Sequence, residues 1–91
     1  MATISIARKH SLTHPKARAV AEKIAKDLKK RFDLDYEWDG EHIDFERPGV
    51  IGRMHVGKDK IKLDVQLGLL LSMLKPTIEN EINSQLDKLL A

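Results

Sequence analysis

Residues 34–45 read LDYEWDGEHIDF, and their alternation decides the fold. Leu34, Tyr36, Trp38, Ile43 and Phe45 are apolar, with Asp35, Glu37, His42 and Asp44 between them. Successive side chains of a strand point to opposite faces, so this pattern describes strands with one buried side and one wet side. Asp39-Gly40 interrupts the middle, and Asp-Gly flanked by alternating apolar residues is a strong two-residue hairpin signal. With Asp39 and Gly40 as the turn, Trp38 faces Glu41, Tyr36 faces Ile43 and Leu34 faces Phe45.

The same register continues outward. Pro48-Gly49 suits a type II or related tight turn. It sets Arg47 against Val50, Phe45 against Gly52 and Ile43 against Met54. A four-residue loop, Gly57 to Lys60, then sets Val56 against Ile61, Met54 against Leu63 and Val50 against Leu67. Apolar residues share one face through all three turns, and a one-residue slip would scatter them. A four-stranded antiparallel meander follows.

Two helices flank the meander. ATISIAR, residues 2–8, alternates around Ile4 and Ile6 and reads as a short strand. After Pro15, a residue suited to a first helical turn, Ala17, Val20, Ala21, Ile24, Ala25, Leu28 and Phe32 recur at helical spacing. A helix is predicted from about Pro15 to Arg31, with a cationic last turn that favours the macrodipole. Beyond Gly68, a second stripe of Leu71, Leu74, Ile78, Ile82, Leu86 and Leu89 or Leu90 predicts another helix. Pro76 stands either at its start or at a kink after a first short turn. The order β-α-β-β-β-β-α gives an α+β two-layer sandwich: an antiparallel five-stranded sheet with two helices on one face. The first strand is expected beside the last. This is the element order of TATA-binding-protein-like and helix-grip folds, in a small version.

The chain has 91 residues, one domain over 1–91, and 42% hydrophobic content, which suits a globular rather than disordered chain. It has no cysteine, so disulfides, thiolate nucleophiles and zinc-thiolate sites are excluded, and a reducing cytoplasm is expected. No signal-peptide h-region stands at the start. The longest leucine run is three residues, far below the ~20 of a membrane span. Charge is uneven: Arg8–Arg31 carries +7 and Phe32–Arg47 carries −6.

Several stretches, KKRFDLDYEWDG, FERPGVIG, LGLLLSMLK and the terminal LDKLLA, resemble the polyhydroxyalkanoic acid system family over nearly the whole chain. These are small bacterial proteins named for genes near those of polyhydroxyalkanoate storage. The resemblance implies a cytoplasmic, bacterial, granule-associated protein and supplies no catalytic residue.

Candidate sites are of three kinds. Lys16, Lys23, Lys26 and Lys30 on the first helix are expected to meet an anionic surface. Leu69, Leu70 and Met73 exceed what one helix stripe can bury, and an exposed cluster of that kind marks an interface with a granule, a granule protein or a second copy of the chain. Glu37, His42 and His55 fall in one cross-strand row, a donor set suited to zinc, with Lys62 opposing a cation; a solvated polar ladder is the competing assignment. A second row of Asp35, Asp44, Arg53 and Asp64 suits surface ion pairing better than acid–base catalysis. The outer sheet face carries Asp35, Glu37, Asp44, Glu46 and Asp64, which would repel nucleic acid. A large internal cavity would cost too much of the stability of so short a chain, so at most a shallow groove is expected near Trp38, Tyr36 or Met54. No nucleophile motif, phosphate loop or acid/base pair in a cleft supports catalysis. The expectation is a non-enzymatic accessory protein of polyhydroxyalkanoate storage that acts by binding, without a cofactor. The alternative is a carrier or enzyme of helix-grip type for small apolar or hydroxyacyl ligands.

Overall fold

The structure, a computed structural model, describes residues 2–90; residues 1 and 91, included in the predicted domain, lie outside the described residues. The elements are β1 (Ala2–Lys9), α1 (His14–Phe32), β2 (Asp35–Asp39), β3 (His42–Arg47), β4 (Val50–Val56), β5 (Lys60–Leu67), a 3-10 segment (Leu69–Leu74) and α2 (Lys75–Leu89). The sheet is antiparallel throughout with order β1-β5-β4-β3-β2, so the first strand does join the last. Both helices cover the same face. Every buried residue of that core is apolar, and the strands read inside and outside in strict alternation, as in Lys60–Leu67.

The β3–β4 and β4–β5 registers are the predicted ones, with Phe45 opposite Gly52 and Met54 opposite Leu63. The β2–β3 register is corrected by two residues: Asp39 faces His42, Trp38 faces Ile43 and Tyr36 faces Phe45. The turn is therefore Gly40-Glu41, with Gly40 at φ +62°, rather than Asp39-Gly40. The observed pairing puts Trp38 against an isoleucine instead of a glutamate, and cross-strand aromatic and β-branched pairs stabilise a sheet. A shift of two keeps every side chain on its predicted face, which is why the core survives the correction.

α1 sits close to the sheet because Ala17, Ala21 and Ala25 line its buried face beside Ile24 and Leu28. It ends at Asp33, in the left-handed region at φ 58°, whose N–H donates to the Lys29 carbonyl (3.0 Å). Glu22 fastens this helix to the hairpin. Its carboxylate accepts from Trp38 Nε1 (3.0 Å) and from the Tyr36 hydroxyl (3.3 Å). Arg18 stacks over the Trp38 ring at 4.1 Å and donates to the Gly40 carbonyl (3.0 Å). The two amphipathic aromatics thus bury their rings at the sheet edge while their polar atoms find partners.

Burial, and then the neighbouring Glu22 charge and hydrogen bond, push the Tyr36 hydroxyl above its ordinary value of 10.0. A folded-state value above the unfolded one means the native fold favours the protonated phenol. That contribution is intact below about pH 10 and is lost as pH rises through the folded value. The denaturation midpoint is expected to fall less steeply between pH 9 and 11 in Tyr36→Phe and in Glu22→Gln than in the wild type. Parallel profiles in all three proteins would contradict the clamp.

Candidate docking surface

The chain leaves β5 through Gly68, whose N–H donates to the Gly49 carbonyl (2.7 Å). That bond ties the next segment to the Pro48-Gly49 turn. Leu71 N–H then donates to the Gly68 carbonyl (3.0 Å), and the Ser72 hydroxyl donates to the Leu69 carbonyl (2.8 Å). The result is two 3-10 turns instead of the start of an α-helix. α2 begins only at Lys75, with Pro76 in its first turn, the first of the two positions considered for that proline.

A 3-10 helix has three residues per turn, so residues i and i+3 lie in line. Leu71 and Leu74 form one line, and Leu70 and Met73 another. Leu71 packs against the core. Its Cδ1 lies 3.1 Å from the position a Cβ on Gly49 would take, and Gly49 itself has φ +85°. Only glycine meets both demands there. Leu74, predicted to face the core with Leu71, is instead exposed (36%), although it shares the line of Leu71. Leu69, Leu70 and Met73 are exposed at 76%, 91% and 86%. With Leu74, four large apolar side chains therefore stand wholly or partly in water on one six-residue segment.

A fifth, Ile51, is 67% exposed on the outer sheet face. The alternation Val50, Gly52, Met54, Val56 assigns it outward, yet it was absent from the candidates drawn from sequence. It lines an open groove of about 650 Å³ with Pro48, Gly49, Gln66 and Gly68, and Asp35 and Glu46 close the rim. A second groove runs along the outer face past Asp44, Arg53 and Asp64. Neither includes Trp38, Tyr36 or Met54, where a groove was expected; those three pack against the core or the helix instead.

Lys16, Lys23, Lys26 and Lys30 are all exposed on α1, opposite its buried face, and none makes an ion pair among the described residues. The other cations of α1 have internal tasks. Arg31 lies 3.1 Å from Asp27 and 3.4 Å from Glu81, and Lys29 lies 3.9 Å from Asp35. The lysine stripe and the leucine segment share only one end of the domain. Arg47 donates to the Phe32 carbonyl (2.7 Å), which brings the last turn of α1, and with it Lys30, to the Pro48-Gly49 end. Lys16, in the first turn of α1, is at the far end.

The corrected β2–β3 register also redraws the outer rows. His42 faces His55 on one side and Asp39 on the other, and His55 faces Lys62. Glu37, expected opposite His42, faces Asp44. The predicted trio Glu37, His42 and His55 is therefore not assembled, and no group of three metal-ligating side chains occurs among the described residues. Asp44 accepts from Arg53 Nε (2.8 Å), and Asp64 accepts from the Ser5 hydroxyl (2.8 Å). Asp35 belongs to a different row, opposite Glu46. These carboxylates are committed to surface pairing. No helix among the described residues is long and apolar enough to cross a membrane.

Comparison with known proteins gives a family and a fold. A family model described as "Putative polyhydroxyalkanoic acid system protein" matches residues 4–90. The NMR structure of PA4090 from Pseudomonas aeruginosa is similar to this chain with a TM-score of 0.58 at 10% identity, over 97% of this chain and 83% of that one. At that identity the likeness is one of fold alone. The comparison with curated proteins returned no match.

Proposed function

The chain belongs to the polyhydroxyalkanoic acid system family, and from that membership we propose that it serves polyhydroxyalkanoate storage as a non-enzymatic accessory protein that binds the granule surface or a granule protein. The observation that carries this reading is the exposure of Leu69, Leu70 and Met73. Apolar side chains of this size gain ~1.5–3 kcal/mol each on leaving water, and the fold leaves all three outside its own core. Lys30, at the same end, adds charge at the rim of the contact. The rest of the lysine stripe contributes weaker, salt-screened attraction to an anionic coat.

This mode differs from that of a long amphipathic helix lying on a polymer surface. Ala17, Ala21, Ile24, Leu28, Ile78, Ile82 and Leu86 are all committed to the core, so the helices have no second apolar face to offer. Contact falls instead to a short segment at one end of the sheet. The test is co-sedimentation of the purified chain with washed polyhydroxyalkanoate granules, and with granules stripped of protein. Pelleting with both assigns the contact to the granule surface, and pelleting with coated granules alone assigns it to a granule protein. A chain that remains in the supernatant with both would overturn the proposal.

A further inference from the structure

His42 Nε2 and His55 Nδ1 lie 3.0 Å apart, with ring centroids 4.7 Å apart. The backbone explains this closeness. Val56 N–H donates to the Glu41 carbonyl (2.9 Å), so the neighbouring pair Glu41 and Val56 carries the ladder bond. His42 and His55 therefore occupy the intervening pair without ladder bonds, where side chains stand closest. Both rings are half-buried, and the His55 ring lies along Gly57, where a Cβ would be 3.6 Å from its Nε2.

We propose that His42 and His55 form a bidentate site for a borderline divalent transition-metal ion such as Zn²⁺ or Cu²⁺. A tetrahedral ion bound at ~2.0–2.1 Å by two imidazoles spans about 3.3 Å between their nitrogens. The pair is already within a few tenths of an ångström of that bite. In the free protein one ring donates an N–H to the other. For both nitrogens to face a metal, the donor ring moves its proton to its own second nitrogen, so the neutral pair binds the ion with no net proton release. Imidazole suits these ions, and the water-bearing positions left open are completed by solvent.

The surroundings shape the affinity. Asp39 faces His42 and favours a cation, while Lys62 faces His55 and opposes one, though its long side chain can swing clear. The other two histidines are occupied elsewhere. His10 Nε2 lies 3.2 Å from the Gly57 carbonyl while its Nδ1 accepts from Leu12 N–H, and His14 lies 3.1 Å from Glu41. They serve as internal controls.

The experiment is a Zn²⁺ titration of the untagged chain, following the ring protons of all four histidines by NMR. His42 and His55 are expected to shift together and to saturate at one equivalent. His42→Ala or His55→Ala is expected to weaken the response of the remaining ring by at least the ~10–100-fold that loss of an outer-shell partner costs at other metal sites. Glu37→Ala, which faces Asp44 instead, is expected to leave the titration unchanged. Both histidines project from the sheet surface opposite the core, so folding of the variants is checked by circular dichroism, with His55→Gln as a second variant. If His42 and His55 respond no more than His10 and His14, or if each responds equally well without the other, the site does not exist.

Discussion

Phe45→Ala is expected to lower stability by ~3–5 kcal/mol, at or near the upper end for a core truncation. Phe45 is the largest fully buried side chain in the domain. Its partner across the β3–β4 ladder is Gly52, which has no side chain to move into the space left behind. The other flank is Tyr36, with ring centroids 6.3 Å apart, and Tyr36 is itself held by Glu22. The neighbours cannot collapse, so the cavity term persists in full. For a chain of this length total stability is roughly 5–14 kcal/mol, and the midpoint of thermal unfolding should drop by more than about 12 °C. A drop below about 4 °C would mean that the ring is not the centre of the core. Filling the gap from the other side has little scope: a Cβ at Gly52 would already lie 3.0 Å from Val65 Cγ2 and 3.2 Å from the Asp64 carbonyl.

Leu70→Glu combined with Met73→Glu is expected to remove binding to granules while leaving the fold intact. The two side chains are exposed and in line on the 3-10 segment, so replacing them disturbs no buried contact, and the stability change should stay within about 0.5 kcal/mol per site. In a bound state each would lose ~1.5–3 kcal/mol of apolar transfer, and each new carboxylate would have to be desolvated as well. Two such losses weaken binding by more than about a hundredfold. Leu71→Glu is the contrasting variant, because Leu71 packs against the core and Gly49; it should unfold or loosen the domain instead of acting on binding alone. Full granule binding by the folded double variant would assign the contact to another surface.

Much of the fold can be read from residue order because both of its periods are clean. Two of three hairpin registers, the inner and outer face of every strand, and the place of β1 beside β5 follow from alternation and turn residues. The β2–β3 turn lies one residue further on than expected, and the pairing is shifted by two, because Asp39-Gly40 and Gly40-Glu41 both satisfy a two-residue turn. The choice between them depends on Trp38 and Tyr36 finding Ile43, Phe45 and Glu22, and Glu22 lies on a helix well before the hairpin. That displacement broke up the supposed Glu37, His42 and His55 trio while leaving the two histidines together, since their pairing belongs to the β3–β4 register. The excess of leucines after Gly68 was legible as excess. Its conformation was not, because the 3-10 turn arises from the tie between Gly68 and Gly49 and the Ser72 hydroxyl bond, neither of which leaves a periodic mark. The outward position of Ile51 is legible in the alternation of β4, but a single outward isoleucine marks no site until the fold gathers Pro48, Gly49 and Gly68 around it.

The most direct test of a docking end built on Leu69, Leu70 and Met73 is peptide-resolved oxidation of the methionines, with and without granules. Met73 is 86% exposed and Met54 is 1% exposed, and thioether oxidation to sulfoxide requires access. In free protein Met73 is expected to oxidise far faster than Met54, and saturating granules should slow Met73 while leaving Met54 as it was. Equal rates for the two in free protein, or a Met73 rate unmoved by granules that carry the bound chain, would contradict a contact through this segment.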